Sequence, residues 1–436
     1  MAAQLKTEFE YFQPEPILIQ VERSFYREYT PISALQNNAP IDFSIPGSEQ
    51  LYLDLSRSYL YVRAKITNED GTNIPANAQV GPINNTIHSL FSNVDVELNG
   101  KSISDANGLY PYRAQFETIL TYNEDAQQSH LQAGLFWKDT AGHMNSLESN
   151  GGNAENHGLR DRASLFAESR EVEMVGRLHA DIFHQAKCIP QNVGLKIKLT
   201  PTKDAFRLIT PAPDRDHPQV NYRVQIVDAR MVLRTLQVGP ATIMAHEKVL
   251  LEKNMRFPLR RVTMKHLAIP RGQTSILHDN IYLGTLPRRI VVGFLEDQAM
   301  SGSYQQNPFN FQHFGINHLA LYVNGEMVPQ QPYQPNFTTG TYLRDYLSIF
   351  KGTDTLFSNR SANIARSDFA NGYALWLFDL APDLASSGCF HIPKTGSVRI
   401  EVKFGAATAS TINLICYAEY DGLIEIDKYR NIIGPG

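Results

Sequence analysis

Phe91-Ser92-Asn93-Val94-Asp95-Val96-Glu97-Leu98-Asn99-Gly100 decides how the rest of the chain is read. Val94, Val96 and Leu98 alternate with Asn93, Asp95 and Glu97, so an extended strand has one apolar and one polar face. Asn99-Gly100 then supplies the residue pair that best tolerates the two positive φ angles of a type I′ hairpin. The pattern returns at an offset of 225, where Leu319, Leu321 and Val323 alternate and Asn324-Gly325 follows.

Three further matches keep the same order. Tyr112, Phe116, Ile119 and Leu120 form one helical face at i, i+4, i+7 and i+8, and Tyr342, Tyr346, Ile349 and Phe350 repeat it at an offset of 230. Leu195, Ile197 and Leu199 fall on Val398, Ile400 and Val402 at 203, each set preceded by an Ile-Pro pair, Ile189-Pro190 and Ile392-Pro393. Upstream, Tyr52-Leu53 with Leu60 and Val62 fall on Tyr282-Leu283 with Ile290 and Val292 at 230. Alternating strands are common, but four matches in one order predict a module copied in tandem. One-sided alternation predicts antiparallel sandwiches. Long helical patterns are scarce, the clearest at residues 110–122 and a second at 341–350, so a β protein with a few short helices is expected.

The expected organisation is an N-terminal arm at residues 1–16 with Pro14 and Pro16, a first unit at 17–238, and a linker at 239–248 beginning near Gly239-Pro240. A second unit follows at 249–427, and a tail at 428–436. Ile432-Ile433 lies outside any expected strand, and would either insert into a neighbour or tuck along its own sandwich. Asn145 to Arg162, with Asn150-Gly151-Gly152-Asn153, reads as an exposed, structureless excursion. Gly352 to Asn371 is its polar counterpart in the second copy.

Of the 436 residues only 19% are charged, with 44 acidic against 40 basic. Soluble domains usually carry roughly 25%, so this chain is expected to hide surface against copies of itself. The net charge of −4 excludes coating of nucleic acid by bulk basicity. No apolar run is long enough to span a membrane, and residues 1–10 lack the pattern of a secretory signal. Cys188, Cys389 and Cys416 are widely spaced and odd in number, which fits buried thiols in a reducing compartment. Without export, the sequons at Asn84, Asn336 and Asn359 are expected to stay unused.

The search for catalysis is negative: the sequence has no phosphate-binding loop, dinucleotide fingerprint, His-Glu-x-x-His or Cys-x-x-Cys. His179 and His184 with Asp181 between them, and His313 with His318, are the closest histidine groups. On a strand, a spacing of five puts side chains on opposite faces, so neither pair is expected to converge and no metal site is expected. Cys389 beside Phe390-His391 reads as a small buried thiol rather than a nucleophile. Arg256, Arg260, Arg261 and Lys265, with Arg288-Arg289, could meet phosphates, the acidic rim of a neighbouring subunit, or local carboxylates. No catalytic, cofactor-binding or metal-binding residue is therefore expected.

Two successive sandwiches, each with a helix after its hairpin and long excursions, look like the double jelly-roll architecture. Within it the chain resembles major capsid proteins of the Polinton/Maverick and adintovirus lineage. The segments that carry the resemblance are Pro40 to Ile66 with Tyr59-Leu60-Tyr61-Val62, then Phe91 to Gly100, and Leu423-Ile424-Glu425-Ile426-Asp427. The resemblance implies an all-β fold of two tandem jelly rolls, and a homotrimer whose six rolls make a pseudo-hexagonal tile of an icosahedral shell. It also implies a different protein at the fivefold vertices, residence in the virion capsid, and no enzymatic activity. The rivals are a glycan-binding or glycan-processing jelly-roll protein and a minor capsid component. The first would want export and a carboxylate cluster; the second typically needs one roll.

Overall fold

The computed structural model describes residues 20–36, 38–48, 50–105, 107–147, 155–211, 220–384 and 390–434. The sandwich strands form two octets. The first comprises β1 (Val21–Tyr29), β2 (Ile41–Ile45), β3 (Leu51–Asn68), β4 (Phe91–Leu98), β5 (Lys101–Ser102), β6 (Val172–Gly176), β7 (Leu195–Pro201) and β8 (Tyr222–Val238). The second comprises β9 (Met255–Ile269), β10 (Ser275–Thr285), β11 (Arg289–Glu296), β12 (Ile316–Val323), β13 (Glu326–Tyr333), β14 (Leu375–Asp379), β15 (Thr395–Phe404) and β16 (Ile412–Ile426).

Each octet makes two antiparallel sheets. In the first they run β1-β8-β3-β6 and β2-β7-β4-β5; in the second, β9-β16-β11-β14 and β10-β15-β12-β13. One octet becomes the other on shifting every strand by one full set, which is a jelly roll built twice.

The repeated triplets are register partners. Val94, Val96 and Leu98 pair with Leu199, Ile197 and Leu195. Leu319, Leu321 and Val323 pair with Val402, Ile400 and Val398 in the same order. All of these are buried except Val323, which is partly so. Both Asn-Gly turns adopt the expected conformation, with φ of 46° and 78° at Asn99-Gly100 and 51° and 88° at Asn324-Gly325. Each turn is also docked on the next strand. Asn99 Oδ1 accepts from the Gly194 N–H at 2.7 Å, and Asn324 Oδ1 accepts from the Ser397 N–H at 2.9 Å.

One of the matches holds only in part. Leu60 and Val62 pair with β8, and Ile290 and Val292 with β16, in equivalent places. Tyr52-Leu53, however, belongs to β3 and pairs with Leu236 and Thr235, whereas Tyr282-Leu283 belongs to β10 and pairs with Val398 and Ser397. Pro287 breaks the second copy between β10 and β11, while the first copy has no proline there and runs on as one long strand.

Helix α1 (Tyr110–Thr121) carries Pro111 in its first turn, where the missing N–H costs nothing. It packs on β4 of its own sandwich and turns its aromatic face to the second roll, with the Phe116 ring 5.1 Å from Phe311 and 6.3 Å from Tyr417. The stretch expected to be structureless is corrected at its C-terminal end: His157–Leu165 is helix α2, and Arg162 within it is fully buried. Arg162 and the N-cap Asn156 are buried by hydrogen bonding, and beside them Leu159 is the buried apolar side chain of the helix, so no apolar stripe announces it. Residues 150–153 lie outside the described ones, as do residues 1–16 and Cys389.

Helix α3 (Pro240–Leu250) occupies the stretch expected as a linker, with Gly239 at its N-cap. Helix α4 (Leu343–Gly352) covers the edge strand β14. Ser348 Oγ accepts the Leu377 N–H at 3.2 Å, and buried Asp345 accepts the Trp376 indole N–H at 2.9 Å. Of the two alternatives for the tail, the structure has the second: Ile432–Ile433 lies along its own sandwich as a short strand pairing with Glu425 and Ile426, with Ile432 buried.

Asn324→Ala loses a side-chain hydrogen bond and places alanine at positive φ. The expected cost is about 1–2 kcal/mol, read as a lower urea midpoint and faster amide exchange at Ser397. Burial pushes the Asp345 carboxyl up to about 6. Between its ordinary 3.8 and that value the native state keeps a proton the unfolded chain has lost, so stability falls as pH rises through this window. Asp345→Asn retains the acceptor for Trp376. It should stabilise the protein by roughly 2–3 kcal/mol at pH 7 and be neutral below about pH 4, measured by denaturant titration at both pH values.

Candidate functional site: the seam between the rolls

The connection between β5 and β6, residues 103–171, carries α1 and α2 and forms most of the seam. At its centre the Arg162 and Asp139 side chains are both fully buried, with Nη2 and Oδ1 2.7 Å apart. Arg162 Nε and Nη1 donate to the Pro82 and Trp137 carbonyls at 3.0 and 2.7 Å. Asp139 accepts in addition from Asn156 Nδ2 at 3.0 Å and from Asn307 Nδ2 of the second roll at 2.9 Å. The Tyr373 hydroxyl, also from the second roll, donates to the Asp139 carbonyl at 2.7 Å. A buried ion pair this fully bonded fixes geometry more than it adds energy, because desolvation offsets the Coulombic gain.

Around this centre the rolls exchange further bonds. Asn107 Nδ2 donates to the Met264 carbonyl at 2.9 Å, Lys138 meets Asp368 at 2.5 Å, and the Tyr304 hydroxyl donates to the Tyr222 carbonyl at 2.9 Å. Burial is shared as well. Phe116 and Tyr112 join the core of the second roll, while Phe257, Leu259, Ile424, Ile426 and Ile432 join that of the first.

The histidine expectation is corrected here. The segment around Asp181 is not a strand but a 3₁₀ turn, Asp181–His184. That curvature brings both imidazoles to one side. His179 Nδ1 stands 2.6 Å and His184 Nε2 3.6 Å from Glu117 Oε2 of α1. Glu117 was not singled out in the sequence, since helical partners from a distant segment leave no local spacing. Arg113 bridges Glu117 at 2.9 Å and Asp181 at 2.6 Å, and Asp181 also accepts from the Val262 N–H of β9 at 3.3 Å. Burial alone would raise the Glu117 carboxyl, but the Arg113 guanidinium and the His179 hydrogen bond outweigh it and hold the carboxyl well below the usual range. Burial pushes His88 and His184 down, so both imidazoles are neutral.

The other histidines have separate partners. His313 stacks on Phe337 at 3.8 Å, and His318 lies 3.8 Å from Glu401. His391 holds Asp383 at 2.9 Å and Asp421 at 3.4 Å. Of the cysteines, Cys416 is buried and Cys188 half-buried.

The basic cluster lines an open cleft of about 1220 Å³ between the rolls, with Arg256, Arg261 and Lys265 on its wall. Its cations are matched by the chain's own groups. Arg256 pairs with Glu425 at 2.9 Å and Arg261 with Asp105 at 3.4 Å, while Arg260 pairs with Asp421. Arg289 meets Glu419 at 3.5 Å, Arg288 is 3.9 Å from Asp421, and Lys265 donates to the Ile281 carbonyl at 2.7 Å. Asn84 is buried and accepts from the Asn85 and Trp137 N–H groups, which makes that sequon structural.

No protein-family model matches the chain. An uncharacterised protein of Caenorhabditis elegans is 22% identical over 413 residues, covering 92% of this chain and 94% of the relative. Among solved structures, a chain of the Sputnik virophage superposes with a TM-score of 0.65 at 12% identity, covering 100% of this chain and 92% of that one. A chain of the PBCV-1 virus capsid gives 0.57 at 10% identity over 98% and 99%. The mavirus major capsid protein gives 0.52 at 15% identity over 100% and 96%. The chain has the double jelly-roll fold of these capsid structures from end to end.

Arg162→Met leaves the Asp139 carboxylate and two buried carbonyls without their cation. The expected loss is about 3–5 kcal/mol, seen as a lowered urea midpoint. Hydrogen exchange should rise first over residues 137–166.

Proposed function

We propose that this chain is a major capsid protein, three copies of which form a pseudo-hexameric tile of an icosahedral viral shell. The observation that carries the proposal is the doubled octet. Two rolls with the same strand order, and the same register across β4–β7 and β12–β15, occupy one chain, and that chain matches viral capsid chains in fold along nearly the whole length of both.

The physical logic is one of symmetry. A threefold axis acting on two similar rolls presents six similar edges, so one tile can meet neighbours in every direction. Such a tile needs two rolls held as a unit, and the buried Arg162–Asp139 network serves that need. It also needs surface to hide. Leu283, Ile392 and Phe357 of the second roll, and Met244 and Leu251 near α3, are large apolar side chains exposed in the single chain.

In this reading residues 17–238 and 249–427 are the two building units, and 1–16 and 428–436 are an arm and a tail. A separate penton or minor capsid protein closes the fivefold vertices. The chain resides in the virion capsid, and its work is assembly rather than turnover. The Polinton/Maverick and adintovirus lineage is the finer placement we propose, on the segments quoted from Pro40 to Ile66, Phe91 to Gly100 and Leu423 to Asp427.

Multi-angle light scattering of the purified chain should give three times the monomer mass. Negative-stain electron microscopy should show hexagonal plates or closed shells. A monomer at micromolar concentration that forms neither would overturn the reading.

A further inference from the structure

A carboxylate and two imidazoles from distant segments converge at the seam. Glu117 comes from α1, His184 closes the 3₁₀ turn Asp181–His184, and His179 stands just before it. One ligand atom from each lies within 4.8 Å of the other two. We propose that Glu117, His179 and His184 form a transition-metal site that takes Zn²⁺, with the fourth position open to water.

The donor set selects the ion. Two imidazole nitrogens and one carboxylate oxygen suit zinc, and an open fourth position gives tetrahedral coordination. Magnesium and calcium want shells made mainly of oxygen, which this cluster does not offer. His179 Nδ1 and His184 Nε2 already point at one oxygen, Glu117 Oε2. The other oxygen is held by Arg113 Nε at 2.9 Å, which orients the carboxylate. The fourth side opens toward solvent through His184, whose side chain is 27% exposed, against 8% for His179.

The surroundings are consistent with a built site. The His88 ring packs edge-on to His179 at 4.5 Å, and His88 is itself held by the Tyr110 hydroxyl at 2.9 Å. Two cations face the cluster and oppose a metal ion. Arg113 is neutralised by Asp181 at 2.6 Å. Arg177 Nη2 stands 3.0 Å from His184 Nδ1, and coordination through Nε2 puts a hydrogen on Nδ1, so Arg177 must swing away on binding. The hydrogens now lying between the imidazoles and Glu117 leave those positions when the ion enters.

An ion here ties α1 to the connection between β6 and β7. Through Asp181, that connection is already bonded to β9 of the second roll. The site therefore braces, within the first roll, the two connections that meet the second, independent of whether the chain forms shells.

The test is isothermal titration of the full chain, stripped with chelator and dialysed, with ZnCl₂. The expected result is one Zn²⁺ per chain and a higher melting temperature with Zn²⁺ but not with Mg²⁺. Co²⁺ should give the visible absorption of a four-coordinate nitrogen–oxygen site. His184→Ala, at a partly exposed position, and Glu117→Gln, which keeps volume and hydrogen bonding, should each weaken Zn²⁺ at least about tenfold with circular dichroism unchanged. Arg177→Ala should bind more tightly than the wild type. The proposal is overturned if the stripped chain takes up no Zn²⁺, or if His184→Ala and Glu117→Gln bind it as the wild type does.

Discussion

Two neighbouring strands of the second roll, β11 and β14, have no solvent face, and much of the architecture follows from covering them. Strand β11 reads Arg289-Ile290-Val291-Val292-Gly293-Phe294-Leu295-Glu296, and every residue between its charged ends is buried. Neighbouring β14 is buried from Leu375 to Phe378. An antiparallel sheet with one wet face would show alternation; a continuous apolar run means both faces are packed. The inner face belongs to the roll's own sandwich. The outer face must be covered by something else: α4 of the same roll covers β14, and over β11 Phe311 and the Phe116 ring of α1 meet at Gly293. Gly293 marks the contact. A Cβ there would stand 2.9 Å from Leu375 Cδ2 and 3.0 Å from Phe311 Cδ1, with the Phe116 ring at 3.5 Å. Phe116 and Phe311 can settle on the sheet at that spot because the strand has no side chain in the way.

The debt runs both ways between the rolls. Strands β9 and β16 extend beyond their own sandwich, and Phe257, Leu259, Ile424 and Ile426 reach the core of the first roll, with Ile432 beside them. Each core is thus completed by residues of the other copy. Apolar burial supplies the driving force at the seam, at roughly 25 cal/mol per Å² removed from water, but it is indifferent to small slips. The Arg162–Asp139 network is directional and fully bonded, so it specifies one docking geometry. Division of labour between a greasy contact and a polar lock is what a rigid two-roll unit requires.

Much of this was legible in the sequence, and what was not failed for identifiable reasons. Val94, Val96 and Leu98, with their Asn-Gly turn, were readable because strand alternation and turn chemistry are local. Their equivalence to Leu319, Leu321 and Val323 extended to the register across β7 and β15. Helix α2 was missed because Arg162 and Asn156 are buried by hydrogen bonding rather than by hydrophobicity. Tyr52-Leu53 was misplaced because one proline, Pro287, decides where a strand ends in only one copy. His179 and His184 were judged by strand geometry, yet the backbone there turns, and Glu117 reaches them from another element. Ile432-Ile433 looked unpartnered because its partner, β16, precedes it by a tight turn held by Asp427.

Duplication explains the shared register, but the copies have since diverged in how they use the same loop. After the hairpin, both chains form a helix with one aromatic face. In the first copy the helix packs on β4 and turns its aromatic face to the other roll, and its connection becomes the seam. In the second copy α4 stays home, covers the edge of β14, and leaves the following residues outside, Phe357 fully so. The second loop meets the first roll through its later residues, where Asp368 holds Lys138 and Asn363 donates to Gln127, while Phe357 nearer its start stays outside. The asymmetry between α1 and α4 is a consequence of making two equivalent modules into one asymmetric unit.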